Sequence, residues 1–376
     1  MESHLTAEIS ASAVRENLAL LKGCLESGAK LCAVVKADCY GHGVETLLDV
    51  IGEEADLLAV TTPAEALGLR ELGWRGPVLM FFTACAHGDG AETRDALVEL
   101  IRRDITLTVV APQEVLTVAE AAAAAGRDAR VHVKIDTGMT RSGAVPQTAP
   151  AIIEHIRRQA GVNLAGFYTH FAVADEADKS FTRLQLAIFR ETLTACGDLG
   201  GAVLHAANSA ATIDLQETHL DMVRPGIAMY GYQPSDNMQN RLPLRPCMRL
   251  IGRLMQVKEV PAGSRTGYGL TCRLDRDSRV GLVPVGYADG YLRCLSNLSS
   301  MRVGGRDVPV LGRVSMDQTV IDLTDVPQAR VGDEVEIISP DPAAPHSVEN
   351  LARLAGTISY EVTCRLGERI RRVLVD

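Results

Sequence analysis

The sequence is poor in the features that mark nucleic-acid-binding, membrane and disulfide-stapled proteins. Lysine and arginine total 38 against 47 acidic residues, a net charge of −9. No basic cluster with interleaved aromatics occurs, so polyanionic partners such as nucleic acid are not expected. No apolar run approaches the ~20 residues of a membrane-spanning helix. The opening stretch MESHLTAEISASAVRENLALLK carries charges throughout and has no apolar core of signal-peptide length. The nine cysteines are odd in number, well spread and include no C-x-x-C pair. That suits reduced thiols better than a disulfide framework or a zinc site, and no metal is expected. Neither G-x-x-x-x-G-K-[ST] nor a strand-linked G-x-G-x-x-G is found, which disfavours nucleotide cofactors. A soluble, cytoplasmic protein is the expectation.

What is present is an ordinary globular composition, 47% hydrophobic over 376 residues, long enough for two domains. From residue 30 to about 225 short apolar runs alternate with helical patterns. The strand candidates are LCAVVK (31–36), LLAVTT (57–62), PVLMFF (77–82), LTVV (107–110), RVHVKID (130–136), GFYTHF (166–171), AVLHAANS (202–209) and DMVRPG (221–226). Continuous rather than alternating apolar runs mark strands buried on both faces, as in a parallel sheet. Eight of them with intervening helices predict an α/β fold, a TIM-type (β/α)8 barrel, in preference to an open doubly wound sheet. The polar, proline-bearing stretch SDNMQNRLPLRPC places a boundary near 240. Residues 1–240 are then the barrel, and residues 241–376, where helical periodicity nearly vanishes, a mostly β domain.

Barrels carry their chemistry at the C-terminal ends of their strands. Here those ends hold Lys36, Lys134 with Asp136 and Arg141 close behind, His170, the stretch His205–Ser209, and Arg224. Each alone reads as a solvated rim charge or a satisfied core group; together they converge on one face. An amine at the mouth of an apolar strand is partly desolvated, which lowers its pKa and favours condensation with an aldehyde. The aldehyde this suggests is pyridoxal 5'-phosphate. The small residues of AANSA (206–210) and RPGIA (224–228) would let backbone amides approach its phosphate.

AVVKADCYGHG resembles the cofactor-lysine motif of alanine racemases. The resemblance continues through KIDTGMTRSG (134–143), YTHFAVAD (168–175), HAANSAA (205–211), MVRPGIAMYG (222–231), GYGLT (267–271), PVGYADGY (284–291), GRVSMDQ (312–318) and TISYE (357–361). It implies a pyridoxal-phosphate racemase, a barrel followed by a β domain, that interconverts L- and D-alanine for peptidoglycan. It further implies that Lys36 holds the cofactor and acts as one base, and that Tyr268 is the second. Tyr40, Ser209 and Tyr360, with backbone at Gly226 and Ile227, match phosphate-binding positions. Arg224 matches the arginine at the pyridine nitrogen, and Arg141 one that meets the cofactor's phenolic oxygen and the substrate. His170 matches a link between Arg224 and the second base. Met316, and Tyr287 near the entrance, match substrate-binding positions, and Lys134 a position often carbamylated. In this family the tyrosine reaches the lysine of a second subunit, so a homodimer with shared sites is implied.

Two positions depart from common family text: Ser315 where cysteine is frequent and Leu292 where proline is. An alternative substrate is serine, as in vancomycin-resistance racemases. A pyridoxal-phosphate decarboxylase is disfavoured by Arg224 and Tyr268, and a non-catalytic cofactor carrier by the β domain.

Overall fold

The computed structural model describes residues 4–88 and 90–376. The first strand, β1 (Thr6–Ser10), precedes eight parallel strands that close on themselves: β2 (Lys30–Val34), β3 (Leu57–Val60), β4 (Val78–Thr83), β5 (Ile105–Val109), β6 (Ala129–Lys134), β7 (Val162–Tyr168), β8 (Val203–His205) and β9 (Met222–Val223). Closure is made by pairing of β9 with β2, Lys30 opposite Met222 and Leu31 opposite Val223. The barrel is therefore the one expected, and its eight strands are the eight apolar runs. All five residues of β5 and four of the five in β2 are buried, as double-sided packing requires. The connecting helices begin where chemistry lets them. Thr62 and Glu65 form a reciprocal cap around Pro63 at the start of Pro63–Glu71. The helix Pro112–Ala125 stops at Gly126, which takes a left-handed φ of 67°.

Strand ends differ in detail from the apolar runs. β8 stops at His205 because Asn208 turns the chain into the helix Ser209–Asp214, its side chain accepting from the Ala211 amide. β9 is only two residues long, so Arg224 lies just beyond it.

The C-terminal module is built on a six-stranded sheet in the order Arg306–Pro309, Ser300–Val303, Glu334–Ile338, Met248–Arg253, β1, Arg371–Val375. β1 thus lies in this sheet, antiparallel to Met248–Arg253 and parallel to Arg371–Val375, so residues 1–240 are not all barrel. A covalent boundary at 240/241 is proposed, with β1 crossing back into the second module. A three-stranded sheet (Gln256–Val260, Ser278–Val283, Thr319–Asp322), a two-stranded ribbon (Arg265–Thr266, Cys272–Arg273) and the helices Val348–Ala355 and Ser359–Cys364 complete it. One cluster of buried apolar side chains extends from barrel residues such as Leu31 and Ile51 to Met248, Ile337 and Leu351 of the module. Among the described residues no helix is long and apolar enough to cross a membrane.

A buried ion pair ties three segments together behind the barrel's C-terminal end. Lys179 Nζ lies 2.6 Å from Asp214 Oδ2, with side-chain exposures of 1% and 0%. The ammonium also donates to the Ala174 carbonyl, and the carboxylate accepts from the amides of Gln239 and Asn240. Removing one partner leaves an uncompensated buried charge. Lys179→Met should therefore destabilise the fold by about 3–5 kcal/mol, read as a lower urea midpoint; an unchanged midpoint would contradict the assignment.

Candidate active site

Lys36 lies two residues beyond the end of β2, and the chain after it winds the wrong way. Ala37, Asp38, Cys39 and Tyr40, none of them glycine, all have φ between 50° and 55°. Left-handed backbone costs an L-residue ~1–2 kcal/mol at each position, so the turn persists only because its surroundings over-determine it. The Glu65 carboxylate accepts from the amides of Ala37, Thr61 and Thr62 at 2.7, 2.8 and 2.9 Å. Asp38 accepts from the Val44 amide at 2.7 Å. The result aims a half-buried amine at the barrel mouth. Burial first, and the Arg141 guanidinium second, hold the Lys36 pKa below the ordinary lysine value, opposed by Glu65 and Cys364.

Deeper in the barrel a second set of cations rests on one aromatic ring. Arg224 and Lys134 lie 5.3 and 5.6 Å from the centroid of the Tyr168 ring. The Tyr168 hydroxyl meets Thr108 Oγ1 at 3.0 Å, and Thr108 donates to the Met80 carbonyl at 2.7 Å. Arg224 is buried and uses its terminal nitrogens to donate to His205 Nδ1 at 2.8 Å, the Thr169 carbonyl at 2.7 Å and the Ala206 carbonyl at 3.0 Å. His170 Nδ1 lies at 3.5 Å.

The first of these contacts fixes two tautomers. His205 Nδ1 accepts from an arginine that has no lone pair to offer, so the His205 proton sits on Nε2. That nitrogen, 2.8 Å from His132 Nδ1, donates to it, and His132 carries its proton on Nε2. Burial and the Arg224 charge push His132 down to about 3 and hold His205 and His170 well below 6.5. Arg224 is itself lowered by burial, to about 10, and stays cationic at neutral pH. Lys134 falls to about 8 through burial and then the charges of Arg141 and Arg224.

A cradle of hydroxyls and amides lies beside Lys36. Ser209 Oγ accepts from the Gly226 amide at 2.8 Å, just before Ile227 opens a 3-10 turn. A Cβ on Gly226 would stand 2.3 Å from the Tyr40 hydroxyl, so only glycine permits this approach. The Tyr40 and Tyr360 rings are 6.0 Å apart, and burial raises both phenol pKa values, keeping them as O–H donors. Neutral hydroxyls, a small-residue turn, and cations at Arg141 and Arg224 around a deprotonation-prone lysine fit a phosphorylated aldehyde. Tyr40, Ser209, Gly226, Ile227 and Tyr360 would hold its phosphate end, Lys36 its aldehyde carbon, and Arg141 and Arg224 would lie around the ring.

The remaining predicted residues lie on the C-terminal module and stand exposed in this chain. Tyr268 is 72% exposed, Met316 54% and Tyr287 43%. They stand on loops bonded to one another: the Tyr287 and Ala288 amides donate to the carbonyls of Ser315 and Met316 at 3.1 and 2.9 Å, and Gly267 packs on Arg313. His132 and Glu65 went unnoticed in the sequence. An imidazole inside an apolar strand, two residues before Lys134 and so on the same face, was the available signal for His132.

Residues 9–234 match the family model for the alanine racemase N-terminal domain and residues 247–374 that for its C-terminal domain. The chain belongs to the alanine racemase family. It is 39% identical to the alanine racemase of Desulfovibrio desulfuricans, across 98% of either chain, and 38% identical to that of Methanococcus maripaludis, across 99% of either. Among solved alanine racemases, that of Clostridium difficile 630 superposes with a TM-score of 0.91 at 36% identity, covering 100% of this chain and 96% of its own. The one from D-cycloserine-producing Streptomyces lavendulae gives 0.91 at 37% identity, covering 100% and 98%.

Both relay imidazoles have folded pKa values below the ordinary 6.5. As pH falls the unfolded chain binds protons first, so this pair stabilises the fold fully above about pH 6.5 and progressively less below it. In ¹⁵N NMR at pH 5.5, His132 and His205 should both give neutral signals protonated at Nε2. Imidazolium signals from either would refute the relay.

Proposed function

We propose that this chain interconverts L- and D-alanine with pyridoxal 5'-phosphate held at Lys36, and that each site is completed by Tyr268 from a second copy. The observation that carries the shared site is the exposure of Tyr268, 72% in the isolated chain. A phenol that moves protons in a water-excluding site does not stand free in solvent; a partner barrel would cover it together with Met316 and Tyr287.

When bound, the cofactor supplies an electron sink that acidifies the substrate's Cα–H. The chain's own residues supply the rest. Inverting a stereocentre requires one base on each face. The Lys36 amine, easily deprotonated, takes or returns the proton on one side, and the Tyr268 hydroxyl does so on the other. Arg224, locked by His205, Thr169 and Ala206, offers a fixed cation to the ring nitrogen and does not hand over a proton. His170, 3.5 Å from Arg224, would connect that cation with the incoming tyrosine. Arg141 offers its guanidinium to the phenolic oxygen and to the substrate carboxylate. Lys134, with a pKa of about 8, has a neutral fraction able to condense with carbon dioxide and release a proton, giving a carbamate that would balance Arg141. With Met316 of the second copy brought opposite Tyr360, there would be room for little beyond a methyl group, which favours alanine over serine. Higher kcat/KM for L-serine than for L-alanine would reverse that assignment.

Lys36→Ala and Tyr268→Phe should each lower kcat by roughly 10²–10⁴. Mixed in equal amounts and allowed to exchange subunits, they should recover about a quarter of wild-type activity, because half the dimers are mixed and each mixed dimer has one intact site of two. No recovery after verified exchange would place both bases in one chain.

A further inference from the structure

The strained turn behind Lys36 is gripped from its far side by the last strand of the chain. Arg372, on Arg371–Val375, sends Nε to the Gly41 carbonyl at 3.0 Å. Its other nitrogens donate to the carbonyls of Gly367 at 3.0 Å, Ile370 at 2.9 Å and Leu366 at 2.9 Å. The Asp38 carboxylate lies 3.8 Å from Nε, and the Arg372 side chain is only 11% exposed. One guanidinium thus holds two segments together: the left-handed turn 37–41 and the loop 366–370 that follows the helix Ser359–Cys364. Contact between those segments is close, since a Cβ on Gly41 would stand 2.0 Å from the Thr363 carbonyl oxygen. Tyr40 lies in the turn and Tyr360 in the first turn of the helix, so the same grip sets the spacing of these two hydroxyl-bearing rings. Glu65 closes the turn from the opposite end through the Ala37 amide.

We propose that Arg372 is a positioning residue for the cofactor lysine: it holds the left-handed turn wound, with Glu65 as its counterpart, so that Lys36 faces the barrel mouth and Tyr40 faces Tyr360. The β module thereby supports the site of its own barrel, besides presenting Tyr268 to another. The proposal rests on the reading of Lys36 as the cofactor residue only for its functional consequence; the clamp itself can be observed without cofactor.

The test uses cofactor-free full-length protein and the variants Arg372→Met, Arg372→Lys, Glu65→Gln and, as a control on the same strand, Arg371→Met. Two quantities are read: amide hydrogen exchange of the peptide 36–44 by mass spectrometry, and the rate at which added pyridoxal phosphate becomes fixed to Lys36 by borohydride. Arg372→Met should raise exchange at 37–43 and slow attachment, each about ten-fold or more. Arg372→Lys should fall between, Glu65→Gln should show the same localised effect, and Arg371→Met should match wild type. Exchange in Val348–Ala355 should not change. Wild-type values for Arg372→Met would overturn the proposal, as would faster exchange spread equally over Val348–Ala355 and the final strand. Should Arg372→Met fail to fold, the lysine and glutamine variants decide it by the same criteria. Absence of label on wild-type Lys36 would sink the functional reading alone, and the exchange data would still decide the clamp.

Discussion

The lowered basicity of Lys36 is the constraint on which the rest depends. Burial disfavours its ammonium form, and Arg141 opposes it further. In a chain of net charge −9, four cationic side chains, Lys36, Lys134, Arg141 and Arg224, are gathered around one barrel mouth. Such crowding disfavours the empty site and favours any guest that brings negative charge, as a phosphate and a substrate carboxylate do. It also keeps an amine nucleophilic at a pH where a surface lysine would not be.

Arg224 gives the site its rigidity. A guanidinium with three short bonds and a ring face beneath it cannot swing, and its partner imidazoles cannot reverse their tautomers without breaking a bond. A chain of hydrogen bonds from Arg224 through His205 to His132 polarises in one direction. A cation held this way stabilises negative charge on a neighbouring acceptor without becoming an acid, which separates electrostatic support from proton transfer. Proton transfer is left to groups at the mouth.

Much of this was legible in the sequence, and the rest was hidden for physical reasons. Runs such as LCAVVK and LTVV announce strands buried on both faces, and the polar residues closing several of the runs announce the candidate rim. The β module was legible through its turns. β1 was not, because its partners Met248–Arg253 and Arg371–Val375 lie hundreds of residues away, and pairing over such distances leaves no local pattern. The left-handed turn was also hidden: Ala37, Cys39 and Tyr40 disfavour positive φ and Asp38 alone tolerates it, so contacts from Glu65 and Arg372 are needed to impose it. His132 looked like an intruder in a strand until His205 was seen beside it. Motif likeness located Tyr268, yet nothing in the one-dimensional text said that it would stand in solvent.

The single chain buries Arg224 and Tyr40, half-buries Lys36 and leaves Tyr268 and Met316 exposed; in the proposed function a second copy completes the site. Everything in that picture requires the Lys36 amine to be poised before any cofactor arrives. The most direct measurement is the pH dependence of its covalent modification by a small amine reagent in the cofactor-free protein, followed peptide by peptide. The account predicts a Lys36 midpoint clearly below the 10.5 of an ordinary lysine, moving upward in Arg141→Ala. A Lys36 midpoint indistinguishable from that of the surface lysines would contradict it.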